Sequence, residues 1–224
     1  MGERGAESGT MSGKPGLLDA PTVALVRVAA AVAEGKIDVL RERLVAARSV
    51  GVSDPWIEEL LLQSMLIVGY PLALVAFGVW RELAGPQPGR GNGATEELAH
   101  EDWESWAARG AAVCAEVYGR AYHKLLLNLR ALHPALEDLV LVDAYGKVIG
   151  RSGLDLKRRE LCTVAAVAVL GTARQLHSHL RGALNTGATR AEIEAVLGVI
   201  EPDLDPEHRR RAHEQWADVR KRKL

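Results

Sequence analysis

The chain has 224 residues, enough for one large domain or two small ones with cores of their own. Hydrophobic residues make up 48% and charged residues 25%, the balance of an ordinary globular protein, and a formal net charge of −1 gives no electrostatic basis for binding nucleic acid. With aromatics at only 4%, and Ala, Leu and Val abundant, the composition favours helices over a β-sandwich.

In chain order, Met1 to Pro15 is rich in Gly and Ser, mixed in charge and free of any apolar run. Residues 1–19 are therefore expected to be a disordered lead-in, not a secretory signal. A first helical unit is expected over 20–84. Gly51 closes its second helix, and Asp54-Pro55 restarts the chain with Asp54 as N-cap and Pro55 in the first turn. Leu60 to Trp80 is nearly all apolar and about as long as a bilayer span. Gln63, Ser64, Gly69, Tyr70 and Pro71 interrupt it, which predicts a helix pair bent at Gly69-Tyr70-Pro71 and buried in the domain or between subunits.

Gly85 to Ala94 reads as a Gly/Pro linker, placed at 85–97, and 98–224 as a second helical unit. Residues 96 to 143 look helical, with a break near His133-Pro134. Asp155 is placed to cap a helix over Leu156 to Leu170, whose second half is apolar on every side and so should be buried. Gly171 closes it, and residues 173 to 185 put Leu176, Leu180, Ala183 and Leu184 on one face. Gly187 closes that helix and Thr189-Arg-Ala-Glu192 is a capping box for the next. The basic tail from Arg220 to Leu224 reads as a solvated helix end.

The two units are one pattern used twice. At an offset of 136 residues, Gly35 meets Gly171, Gly51 meets Gly187, Leu44 meets Leu180 and Trp80 meets Trp216. Between 24 and 61 there are 12 identities in 38 gapless positions. The counterpart of the apolar run is 196–216, which carries Glu201, Asp203, Asp205, Glu207 and three consecutive arginines. A sibling that polar argues against a membrane span.

Cys114 and Cys162 stand far apart and form no CxxC pair, so neither a disulfide framework nor a thiolate metal site is expected, and a reducing compartment, the cytoplasm, is. The chemistry-bearing groups lie in the second unit. Glu160 sits where its helix turns apolar; His179 borders the apolar face of the next helix, with Gln175 one turn away on the same side. A carboxylate and an imidazole on adjacent packed helices suit general acid/base work. The bland alternative is a surface ion pair and a satisfied core histidine. His177 and His179 point about 200° apart and make a poor metal pair.

The run Tyr145-Gly-Lys-Val-Ile-Gly-Arg-Ser-Gly-Leu-Asp-Leu-Lys-Arg-Arg-Glu160-Leu161 resembles the carboxymuconolactone decarboxylase family. So does His179-Leu-Arg181-Gly-Ala183, continuing through Gly187 to Glu192-Ile193. The resemblance covers residues 105 to 200 well, and Ile57 to Leu83 looks like a diverged unit of the same kind. It implies an all-α fold, here a tandem repeat of an alkylhydroperoxidase D-like unit, in a homo-oligomer, with a trimer favoured because each chain holds two copies.

It also implies a lyase of aromatic catabolism acting on a small-molecule substrate, with no metal or organic cofactor. Glu160 and His179 would be its catalytic pair and Arg181, Arg158 or Arg159 its carboxylate clamp. Tyr145, His133 and Gln175 would line the pocket. A sister branch is a thiol peroxidase with cysteines 12 and 15 residues after the Glu. Here those positions are Thr172 and Gln175, so there is no thiolate to attack a peroxide. The first copy has Ala24 and Arg43 in place of Glu160 and His179. Ser152 replaces the family's usual Pro, and the polar 201–215 segment lacks its usual Gly-x-Pro apolar helix. The alternative is an inactive helical oligomer that binds or scaffolds.

Overall fold

A computed structural model describes residues 18–85 and 101–221, and every element in them is helical. The lead-in before Leu18, the Gly/Pro linker after Gly85 and the last three tail residues lie outside the described residues. The first copy comprises α1 (Ala20–Glu34), α2 (Ile37–Ser49) and α3 (Asp54–Ala84). After it come α4 (Trp103–Tyr118), α5 (Tyr122–Leu132), the single turn α6 (Leu136–Asp138) and a π-helix over Leu139–Ile149. The second copy is α7 (Leu156–Val169), α8 (Ala173–Asn185), α9 (Arg190–Ile200) and α10 (Pro206–Val219).

The repeat holds down to single hydrogen bonds. Asp19 caps α1 by accepting from Thr22 N, and Asp155, 136 residues on, caps α7 by accepting from Arg158 N. Gly51 and Gly187 both take a positive φ, of 82° and 94°, and the residue after each donates back to an equivalent alanine carbonyl, Ala47 or Ala183. Trp80 Nε1 donates to Glu58 at 3.1 Å, and Trp216 Nε1 to Glu194 at 3.2 Å. The Thr189–Glu192 capping box forms as the spacing requires.

Two details of the first copy depart from expectation. The N-cap of α3 is Ser53, extended at φ −69° and ψ 144°, and its carbonyl accepts from Trp56 and Ile57. Asp54 is thereby the first helical residue, where its charge suits the positive end of the helix dipole. The apolar run is bent as expected, at Gly69 (φ 75°, ψ 169°), but it is only partly buried. Its first arm packs Ile57, Leu60 and Leu61 into the core, and its second arm buries Ala73, Ala76, Val79 and Trp80 while leaving Tyr70, Leu74 and Val75 exposed. By length and composition α3 meets the requirement for a membrane span, yet Glu59 in its first arm is buried in a double ion pair. In the second copy the matching break is Asp205-Pro206, with Asp205 capping α10.

The core is one cluster running through both copies. Its centre is the pairing of α1 with α7, in which Leu25 to Ala33 except Arg27, and Leu161 to Ala168, are buried on all sides. Arg158 ties the two N-termini together, bonding to Asp155, Asp19 and Thr22 and lying 4.5 Å over the Trp56 ring. Beside the core, α4 packs so closely on the π-helix that a Cβ on Gly110 would come within 1.7 Å of the Leu141 carbonyl oxygen. The chain reaches this π-helix through His133, held extended at φ −163° by the proline after it.

Burial alone would raise the Asp155 pKa, but hydrogen bonds from the Arg158 side chain and backbone, and the guanidinium charge, hold it below the ordinary value of 3.8. A depressed carboxylate contributes stability above that value and loses it as pH falls through the folded-state pKa. Asp155→Ala is therefore expected to cost about 1 kcal/mol in urea unfolding at neutral pH. The gap from wild type should close below pH 3.8.

Candidate active site

Glu160 is carried on the second turn of α7, among residues buried on every side, so its carboxylate needs a polar partner. His179 on α8 supplies one, with Nδ1 2.9 Å from Glu160 Oε2. The space for this contact comes from Gly182: a Cβ there would stand 2.3 Å from Glu160 Oε2 and 2.9 Å from Val117 Cγ1. With Nδ1 engaged, Nε2 is the ring nitrogen left for a ligand.

The pair forms one wall of a cleft of about 190 Å³. The π-helix contributes Val140, Ala144, Tyr145 and Ile149, and α4 ends on it with Tyr118. A π-helix is a rare conformation often found at functional sites; here Arg109 anchors it by donating to the Gly146 carbonyl at 3.0 Å. The remaining wall belongs to the first copy, through Gln63, Leu66 and Ile67.

Gln63 is fixed on three sides. Its Nε2 donates to Arg159 O at 3.1 Å and Thr163 Oγ1 at 3.3 Å, and its Oε1 accepts from Arg159 at 3.2 Å. Arg159 in turn pairs with the buried Glu59 at 2.7 Å, and Arg151 pairs with the same carboxylate at 2.9 Å.

Of the residues singled out in the sequence, the structure brings Glu160, His179 and Tyr145 to this cleft and places five others elsewhere. Arg158 is spent on the caps of α1 and α7. Arg159 is fully buried in its pair with Glu59, and its guanidinium meets the cleft through Gln63. Arg181, two residues past His179 on α8, turns to a separate shallow depression with His177 and Ser178. Gln175 faces a neighbouring groove beside Lys124 and Arg174. His133 is exposed, its Nδ1 accepting from Ala135 N.

Gln63 and Tyr118 were not recognised from the sequence as site residues. Gln63 left a signal, a lone amide in an apolar run; Tyr118 left none. Cys162 is buried, and burial foremost, with the nearby Asp155, pushes its thiol up to about 12, so it stays protonated at neutral pH.

Comparison with known proteins bears on the family. The carboxymuconolactone decarboxylase family matches residues 5–82 and again 139–214, and the first match begins inside the segment expected to be a lead-in. Among similar proteins, the 4-carboxymuconolactone decarboxylase of Acinetobacter baylyi is 31% identical over 90 residues, 40% of this chain and 67% of its own length. The nitrosuccinic acid decarboxylase of Metarhizium robertsii is 37% identical over 39% of this chain and 63% of its own. Peroxisomal protein 2 of Schizosaccharomyces pombe is 28% identical over 65% of this chain and 67% of its own. The two family matches lie one repeat apart and together span most of the sequence, and the chain belongs to the carboxymuconolactone decarboxylase family.

Proposed function

We propose that this protein is a carboxy-lyase that removes CO2 from a carboxylated lactone, or a related small acid whose carboxylate is conjugated to an electron sink. The observation that carries this is the Glu160–His179 contact of 2.9 Å in the wall of a cleft walled mainly by apolar side chains. The carbon–carboxylate bond breaks, CO2 leaves, and its electron pair moves into the conjugated carbonyl. The resulting dienolate takes a proton on carbon from Nε2 of protonated His179, and solvent returns that proton. Glu160 orients the ring and balances its charge. One carboxylate and one proton become one C–H bond and CO2, a balance that closes without an electron donor or acceptor. The names of two relatives fit this class, since a lactone carbonyl and a nitro group both accept such an electron pair.

A second reading is an inactive binding or scaffold protein. It is favoured by the loss of the pair in the first copy, where Ala24 and Arg43 stand in its place, and by a relative named only for the peroxisome. A homo-oligomer, with a trimer favoured, is part of the proposal under either reading, and the exposed Tyr70, Leu74 and Val75 offer apolar area for it.

The test is loss of the ultraviolet band of 4-carboxymuconolactone, with CO2 release, on mixing with purified protein. Turnover is expected in the wild type and a fall in kcat of about 10²- to 10⁴-fold in Glu160→Gln and His179→Ala. No turnover by the wild type, or equal turnover by the variants, contradicts the proposal. Gly182→Ala leaves both catalytic groups in place but forces the Glu160 carboxylate aside. It is expected to fold, as judged by circular dichroism, and to lose about 10²-fold in kcat.

A further inference from the structure

Among the described residues that line the cleft there is no lysine or arginine. A decarboxylation nevertheless concentrates negative charge on the oxygen of the electron sink, and His179 is engaged in delivering the proton to carbon. Some other donor must face that oxygen, because a developing oxyanion in an apolar cleft is costly without one. The described lining residues with side-chain donors besides His179 are Gln63, Thr163, Tyr118 and Tyr145. Gln63 spends its Nε2 on Arg159 O and Thr163, and the Thr163 hydroxyl donates to Arg159 O at 2.9 Å. The two phenols remain.

Their arrangement is directional. The rings meet edge to face, 6.2 Å between centroids at 71°. Tyr145 is buried in the π-helix, which Arg109 holds against α4, while Tyr118 is half-buried at the end of α4 and borders the mouth of the cleft. We infer that Tyr118 is a further catalytic residue of this site, its hydroxyl donating to the sink oxygen as CO2 leaves, and that Tyr145 is its positioning residue.

The ionisation of the two phenols agrees. Burial first, then the charge of Glu160, pushes Tyr118 up to about 12, so it keeps its proton throughout the neutral range. Burial foremost raises Tyr145 well above the ordinary value of 10.0 as well. The preferred substrates follow: acids whose electron sink carries an oxygen acceptor, set across the cleft from the carbon that His179 protonates.

This inference rests on the decarboxylase proposal, and two measurements separate them. The first is infrared spectroscopy of bound 5-oxotetrahydrofuran-2-carboxylate, a saturated lactone acid whose carboxylate is not conjugated to the carbonyl. A red shift of its lactone carbonyl band is expected in the wild type, smaller in Tyr145→Phe and absent in Tyr118→Phe. The second is kinetics on 4-carboxymuconolactone: Tyr118→Phe is expected to lose about 10²- to 10³-fold in kcat with KM within threefold, and Tyr145→Phe about tenfold. A carbonyl shift that depends on Tyr118 in a protein without turnover upholds the donor and rejects the decarboxylase proposal. A wild type that shifts no carbonyl, or a Tyr118→Phe variant with wild-type kcat, overturns the inference and leaves the Glu160–His179 chemistry standing.

Discussion

The structure depends on a single constraint: α1 and α7 are each apolar on nearly every side and must be covered on nearly every side. One helical unit lacks enough neighbours to do this. Two units in the same chain, packed about the α1–α7 pair, together bury Leu25 to Val32 except Arg27, and Leu161 to Ala168. The polar ends of the pair are then tied by Arg158, which holds the carboxylate caps of both helices. Glu160 is carried on the second member of this pair and His179 on α8 packed against it, so their position is inherited from the core and not from a loop.

The same packing explains why a copy without the Glu160–His179 pair persists. Glu59 of the first copy meets Arg159 of the second at 2.7 Å with neither side chain open to solvent. Removing one partner would strand the other's charge, at a cost of about 3–5 kcal/mol. Gln63, one turn further along α3, bonds the same arginine and then faces the cleft. The first copy thus contributes both to the stability of the seam and to the wall of the site. The counterpart of Ile67 is Asp203, which lies 3.7 Å from Arg43, so the equivalent position in the first copy holds an ion pair where the second holds an apolar wall and His179.

Much of the fold was legible because its signals are local. Caps at Asp155 and Thr189, the positive-φ glycines and the 136-residue repeat each follow from a few neighbouring residues. Glu160 and His179 were legible because burial forces such groups to find each other. The arginines misled because charge type says nothing of direction. Arg159 and Glu160 are neighbours on one helix, yet one turns to Glu59 and the other to His179. Tyr118 and the π-helix were hidden because their role depends on how α4 docks, through a close approach at Gly110 that leaves no periodic trace.

The proposed acid/base pair of the second copy lies in a cleft closed by the first. A crystal structure of the protein soaked with 5-oxotetrahydrofuran-2-carboxylate tests it most directly. Ligand density is expected between His179 and Tyr118, in contact with Gln63 and Ile67. Density in the groove beside Lys124 and Arg174 or in the depression at Arg181, with the Glu160–His179 cleft empty, would contradict it.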